Sequence, residues 1–123
     1  MVETSRVAAL LRVKTGKFPK LTMLDLADAI GRGLHIDALD GICAHLAPGD
    51  TGLKYQIVPK ATFMRRQQTA GRRLSAEESG RVARLAQLWD LALDVWGAPE
   101  AARRFLGTPH PLLRNRVPRD LAI

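Results

Sequence analysis

Cysteine is nearly absent from this sequence: Cys43 is the single one among 123 residues. One thiol forms no internal disulfide and excludes any all-cysteine metal centre within the chain, which removes zinc fingers and agrees with a reducing compartment. Long apolar runs are missing too. None approaches the roughly 20 residues that span a bilayer, so no membrane role is expected. The opening Met1-Val-Glu-Thr-Ser has neither the basic nor the apolar stretch of a secretory leader, and the cytoplasm is the expected location. Acidic residues are the minority charge, 12 against 19 Lys plus Arg, for a net +7. None lies between Thr51 and Ala76, where Lys54, Lys60, Arg65, Arg66, Arg72 and Arg73 all fall. That acid-free segment is a candidate electrostatic footprint for a polyanion. No segment alternates like a strand, and no internal repeat is present, which leaves an all-α fold of modest size.

What is there is helical periodicity with clear punctuation. Val7, Leu10 and Leu11 give a short first helix, followed by a basic loop, Arg12 to Lys20, broken by Gly16 and Pro19. Thr22 with Asp25 forms a capping-box pattern, and Leu24, Ala27, Ile30 and Leu34 then predict one apolar stripe that ends at Gly31 and Gly33. Ile36, Leu39, Ile42, Cys43 and Leu46 lay an apolar face on a helix stopped by Pro48-Gly49. A short helix over Leu53 to Ile57, a tight connection at Val58-Pro59 and a second helix from Lys60 to about Thr69 follow. Ser75-Ala-Glu-Glu78 is a second capping box and opens the longest helix, about Ala76 to Trp96, closed by Gly97. Val82, Leu85, Trp89, Ala92, Leu93 and Trp96 form its stripe, and Leu88, Leu91 and Val95 widen it, so the helix is buried on more than one side or part of it is an interface. Pro99 starts a helix through Leu106, and Thr108-Pro-His-Pro and Val117-Pro divide the remainder into one or two short turns.

The helix, turn and basic helix over residues 36 to 71 have the layout of a helix-turn-helix, with Lys60 to Thr69 as the helix that enters the major groove. Arg65 and Arg66 suit guanine edges or phosphates, Gln67 and Gln68 suit adenine, Thr62 suits a phosphate or a thymine methyl, and Lys54 and Lys60 add charge. Phe63 anchors the helix inside. The same pattern is equally that of a solvated basic helix with no nucleic acid partner.

Catalytic and metal chemistry find little support. His35, Cys43 and His45 lie close in sequence, but His45 stands about 200° around the helix from Cys43, which makes Cys43 a core thiol and His45 a surface residue. His110, between Pro109 and Pro111, has no carboxylate beside it in sequence and reads as a loop former. There is no phosphate-binding glycine loop, no nucleophile elbow and no paired-carboxylate pattern.

The stretch from Leu24 to Asp40, then Ala61-Thr-Phe-Met-Arg-Arg, then Arg73-Leu-Ser-Ala-Glu-Glu-Ser, is similar in order and spacing to the Xre/MbcA/ParS antitoxins that accompany RES-domain toxins in bacteria. The downstream Trp96 to Leu121, with its Thr-Pro, Pro and Asp-Leu elements, resembles that family's toxin-binding region. The resemblance implies an N-terminal helix and basic loop over residues 1–21, a Xre-like helix-turn-helix DNA-binding domain over 22–74 and a small helical toxin-binding domain over 75–123. It implies a non-enzymatic, cofactor-free homodimer that blocks a NAD-targeting RES-domain toxin and represses its own operon on operator DNA. The Pro-punctuated end of the chain exposes side chains that a helix interior would hide, which makes Arg103, Arg104, Leu112, Leu113, Arg114, Arg116 and Asp120 the expected toxin contacts; the alternative is that these arginines only solvate a terminal segment. Ile57 and Asn115 stand where the family commonly has glycine, positions that suit positive φ, which Asn tolerates and Ile does not. The alternative function is a protein-interaction module whose helix-turn-helix no longer binds DNA.

Overall fold

The computed structural model describes residues 4–11 and 23–123. The basic loop from Arg12 to Lys20 and the cap at Thr22 lie outside the described residues. The fold is all-α: α1 Thr4–Leu10, α2 Met23–Arg32, α3 Asp37–Leu46, α4 Leu53–Ile57, α5 Lys60–Gln68, α6 Ala76–Trp96 and α7 Pro99–Leu106, then two 3-10 turns, Pro111–Leu113 and Pro118–Ala122. Among the described residues only two isolated bridges, His35 with Arg73 and His110 with Arg116, have strand-like pairing.

The long α6 organises the molecule, packing against α1, α2, α3, α4 and α7. Its start is set locally. The Ser75 hydroxyl accepts the Glu78 N–H at 3.1 Å, and the Glu78 carboxylate accepts the Ser75 N–H at 2.8 Å, a reciprocal cap of the kind that contributes about 0.5–2 kcal/mol. Its end is equally local: Gly97 turns left-handed at φ 75° and gives its N–H to the Leu93 carbonyl, a conformation glycine adopts without Cβ strain. Between these caps Val82, Leu85, Ala86 and Trp89 are buried.

One core runs through the chain. Val7 and Leu11 of the first segment, Leu39, Ile42 and Leu46 of α3, Leu53 and Ile57 of α4, and Ala102 and Leu106 of α7 belong to the same buried cluster as α6. Burying side chains of this size contributes about 1.5–3 kcal/mol each relative to exposure. Cys43 lies on the inner face of α3, and burial pushes its thiol up to about 12, with the Asp40 charge adding to the rise. It is a core residue, as its place on the stripe implied.

The connection Gly33 to Ile36 is sewn to the connection Arg72 to Leu74. Ile36 N–H donates to the Arg72 carbonyl, Leu74 N–H to the Leu34 carbonyl, and Leu34 N–H to the Ser79 hydroxyl at 2.8 Å. Gly33 sits at φ 95°, where a Cβ would stand 2.2 Å from the Leu74 carbonyl oxygen. Helix α2 departs from its expected orientation: Leu24 and Ala27 are exposed, and Leu26 is the buried residue. In α2 it is Leu26, not Leu24, that joins the core. Likewise Trp96 is 49 % exposed and Val95 69 %, because α6 outruns the helices that cover it. Ile57 is helical and buried, so that position needs no left-handed backbone. Asn115 does adopt one, at φ 61°, together with Arg114 at 57°.

Candidate functional site

Helices α4 and α5 meet at the Val58-Pro59 connection, and their joint is clamped from both sides. Phe63 inserts into the core and stands edge-on to Tyr55 at 6.1 Å. Lys54 lies over the Phe63 ring at 4.5 Å and pairs with Asp40 of α3 at 3.3 Å. The Arg81 guanidinium of α6 donates to the Ile57 carbonyl at 3.2 Å, covering the end of α4. Pro59 precedes the first turn of α5, where its lack of an N–H leaves no donor unsatisfied.

With Phe63 inside, helical spacing places Ala61, Met64, Arg65 and Gln68 on one outward face, and all four are exposed. Lys60 and Gln67 flank it, both exposed, with the Lys60 ammonium 5.8 Å from the Tyr55 ring; Thr62 is half-buried. Arg66 does not share that face. Its guanidinium reaches α6 and meets the Glu78 carboxylate at 3.2 and 3.4 Å. Burial works to raise the Glu78 carboxyl, yet the Ser75 N–H and Arg66 outweigh it and hold the group below its ordinary range. Of the residues proposed from sequence for DNA, Lys60, Arg65, Gln67 and Gln68 are brought to the surface of α5, whereas Lys54 and Arg66 are held by carboxylates.

Two further exposed residues, not among the DNA contacts expected from sequence, lie on α5 and in the loop after it. Met64 is 45 % exposed beside Arg65, a position readable from Phe63 by helical geometry alone. Arg72 is exposed in the loop after α5, at φ 48° beyond the left-handed Gly71; no local signal marks it beyond the acid-free run.

The carboxy-terminal candidates divide in the same way. Arg103 turns inward: its Nε donates to the His45 carbonyl of α3 at 2.6 Å and its guanidinium lies 5.5 Å from the Trp89 ring centre. Arg104 is exposed on α7. Residues 110–116 form a tight loop closed by His110 N–H to the Arg116 carbonyl and Asn115 N–H to the His110 carbonyl. The His110 Nδ1 accepts the Leu112 N–H at 3.2 Å, the loop-forming part expected of it. At the tip, Leu112 is 87 % exposed, with Arg114 and Arg116 exposed beside it. Leu113 is half-buried and Asp120 is exposed.

Among the described residues no group of three or more His, Cys, Asp or Glu side chains is placed to hold a metal ion. None of their helices is long and apolar enough to cross a membrane.

Residues 25–87 match the family described as the antitoxin Xre-like helix-turn-helix domain. This segment runs from α2 through the first half of α6 and contains the whole α4–α5 joint. The chain is also 33 % identical over 100 residues to "Antitoxin Xre" of Yersinia enterocolitica, an alignment covering 78 % of this chain and 66 % of that protein. The chain thus spans just under two thirds of the relative it matches. The family match covers half of the sequence and includes every buried anchor of the α4–α5 unit, and on that ground the chain belongs to the Xre-like helix-turn-helix antitoxin family.

Proposed function

We propose that this chain is the non-enzymatic antitoxin of a bacterial toxin–antitoxin pair, which represses its own operon by binding operator DNA and neutralises a cognate RES-domain toxin in the cytoplasm. The observation that carries the DNA half is the outward face of α5. Arg65 and Gln68 stand one turn apart on a helix rigidly seated by Phe63, inside a stretch of 26 residues, 51 to 76, without an acidic side chain. These are the side-chain types that bond guanine and adenine edges in a major groove. A homodimer is part of the proposal, with operator half-sites about 34 Å apart along the duplex. The toxin half rests on the 110–116 loop, where an exposed leucine and two arginines offer an apolar anchor and two guanidinium forks to an acidic surface. In this reading residues 75–123 bind the toxin, residues 22–74 bind DNA, and no cofactor takes part.

A second reading is favoured by one specific observation: Arg66 and Lys54 are taken up by Glu78 and Asp40. The helix-turn-helix is then retained as a scaffold, and the chain acts only on its protein partner. A gel shift with the upstream DNA of the chain's own operon, in excess competitor, separates the two. A retarded band that resists competitor supports the operator reading; its absence, in a folded protein that still protects cells from the toxin, supports the second.

A further inference from the structure

Between α1, α3, α6 and the start of α7 lies an open cleft of about 810 Å3. Small-molecule sites fall in the range of about 300–1,000 Å3 and combine apolar walls with a few placed polar groups. Here the apolar part is built from Ala9 and Leu10 of α1, Trp89 and Leu93 of α6, and Pro99 of α7. The polar part is cationic. Among the described residues Asp90 is the one acid lining the cleft; it is 4 % exposed and pairs with Arg6 at 3.0 Å. Arg103 is the second arginine, so among the described lining residues two arginines stand against one carboxylate. The Arg103 Nε is held by the His45 carbonyl and its guanidinium carbon stands over the Trp89 ring, 5.5 Å from the centroid, while its terminal nitrogens make no hydrogen bond among the described residues.

We propose that this cleft binds a small organic monoanion, a carboxylate on an aromatic or branched apolar body, with the body against the half-buried Leu10 and Leu93 and the carboxylate on Arg103. The guanidinium is already oriented, so little side-chain entropy is lost when its remaining N–H groups pair with a carboxylate. A cation would meet the excess positive charge, and a neutral body would leave the guanidinium unpaired in an apolar setting. The site is distinct from both the α5 face and the 110–116 loop and does not depend on either reading. Because four helices line it, an occupant that binds only the folded chain raises its melting temperature by mass action.

Phenylbutyrate, phenylbutanol and phenylbutylamine, titrated separately into the full chain and followed by amide NMR, test the proposal. The expected result is saturable shifts at the amides of Leu10, Gly41 and Leu93 with phenylbutyrate, and affinities at least about tenfold weaker for the alcohol and the amine, the size of one charge-assisted hydrogen bond. Arg103→Gln should weaken phenylbutyrate about tenfold. Leu93→Trp, which fills the cleft and leaves the Arg103–His45 link in place, should abolish binding in a protein that keeps a dispersed spectrum. Shifts that do not saturate at those amides, equal affinity for the three probes, or undiminished binding to folded Leu93→Trp overturns it.

Discussion

The Glu78 carboxylate holds two elements at once: it accepts the Ser75 N–H at the cap of α6 and, 3.2 Å away, pairs with Arg66 on α5. The residue that starts the central helix therefore also fixes the roll of the helix that presents Arg65 outward. Stability and the orientation of the candidate recognition face are coupled through one buried acid.

Glu78→Gln is expected to lower stability by about 1–3 kcal/mol, because a buried hydrogen-bonded charge is lost and Arg66 is left without its partner. The sign of the pH dependence follows from the lowered carboxyl. Its contribution is complete above the ordinary carboxyl value of 4.5 and drains away as the pH falls through the lower, folded-state value. Urea unfolding from about pH 6 to about pH 3 should show a steeper loss in the parent than in Glu78→Gln. Parallel curves would mean that Glu78 does not carry this linkage.

Arg65→Ala should weaken operator binding by about 1–3 kcal/mol if the guanidinium reads a base, with discrimination relaxed at that position. If it touches a phosphate, affinity falls for all sequences alike and the salt dependence flattens by about one unit of slope. Arg66→Ala should act differently, reducing stability before it reduces intrinsic affinity, since its guanidinium faces Glu78. Fluorescence anisotropy on operator and scrambled duplexes at several salt concentrations, beside melting curves, reads all of these.

Trp89→Ala is expected to cost about 3–5 kcal/mol. The indole is 2 % exposed, with the His45 ring at 5.6 Å and the Arg103 guanidinium over it, so truncation leaves a void and releases the tie between α7 and α3. Thermal or urea unfolding checks this. A variant that melts like the parent would place the indole outside the core.

Reversing Arg114 and Arg116 to Glu should restore toxicity on co-expression with the toxin while operator binding and melting temperature stay as they were. Exposed positions of this kind usually change stability by no more than about 0.5 kcal/mol. Leu112→Ala should weaken the complex without affecting the fold, given the near-complete exposure of that side chain. Cells that remain protected by both variants would remove the loop from the toxin interface.

The helix boundaries were legible in the sequence because their causes are local. Ser75 and Glu78 satisfy one another's backbone donors three residues apart, Gly97 takes a left-handed turn that glycine adopts without Cβ strain, and Pro59 and Pro99 begin helices where a missing N–H costs nothing. The inward faces of α3 and α6 were legible for a similar reason, since helical spacing alone aligns Leu39, Ile42 and Leu46, or Val82, Leu85 and Trp89. The family resemblance, carried by Arg73-Leu-Ser-Ala-Glu-Glu-Ser and its spacing from α5, was legible as well. What only the tertiary structure decided is which partner each long side chain chose. Arg66 and Arg65 are neighbours of the same type, yet one is spent on Glu78 and the other faces solvent; Arg103 and Arg104 divide likewise between α3 and the surface. Leu26, not Leu24, lies in the core, and the connection that follows α2 is tied through Leu34 and Ile36 to Leu74 and Arg72, residues remote in sequence. Charge and periodicity state what a side chain can do, whereas the distance between helices remote in sequence determines which of those things it does, and no local pattern encodes that distance.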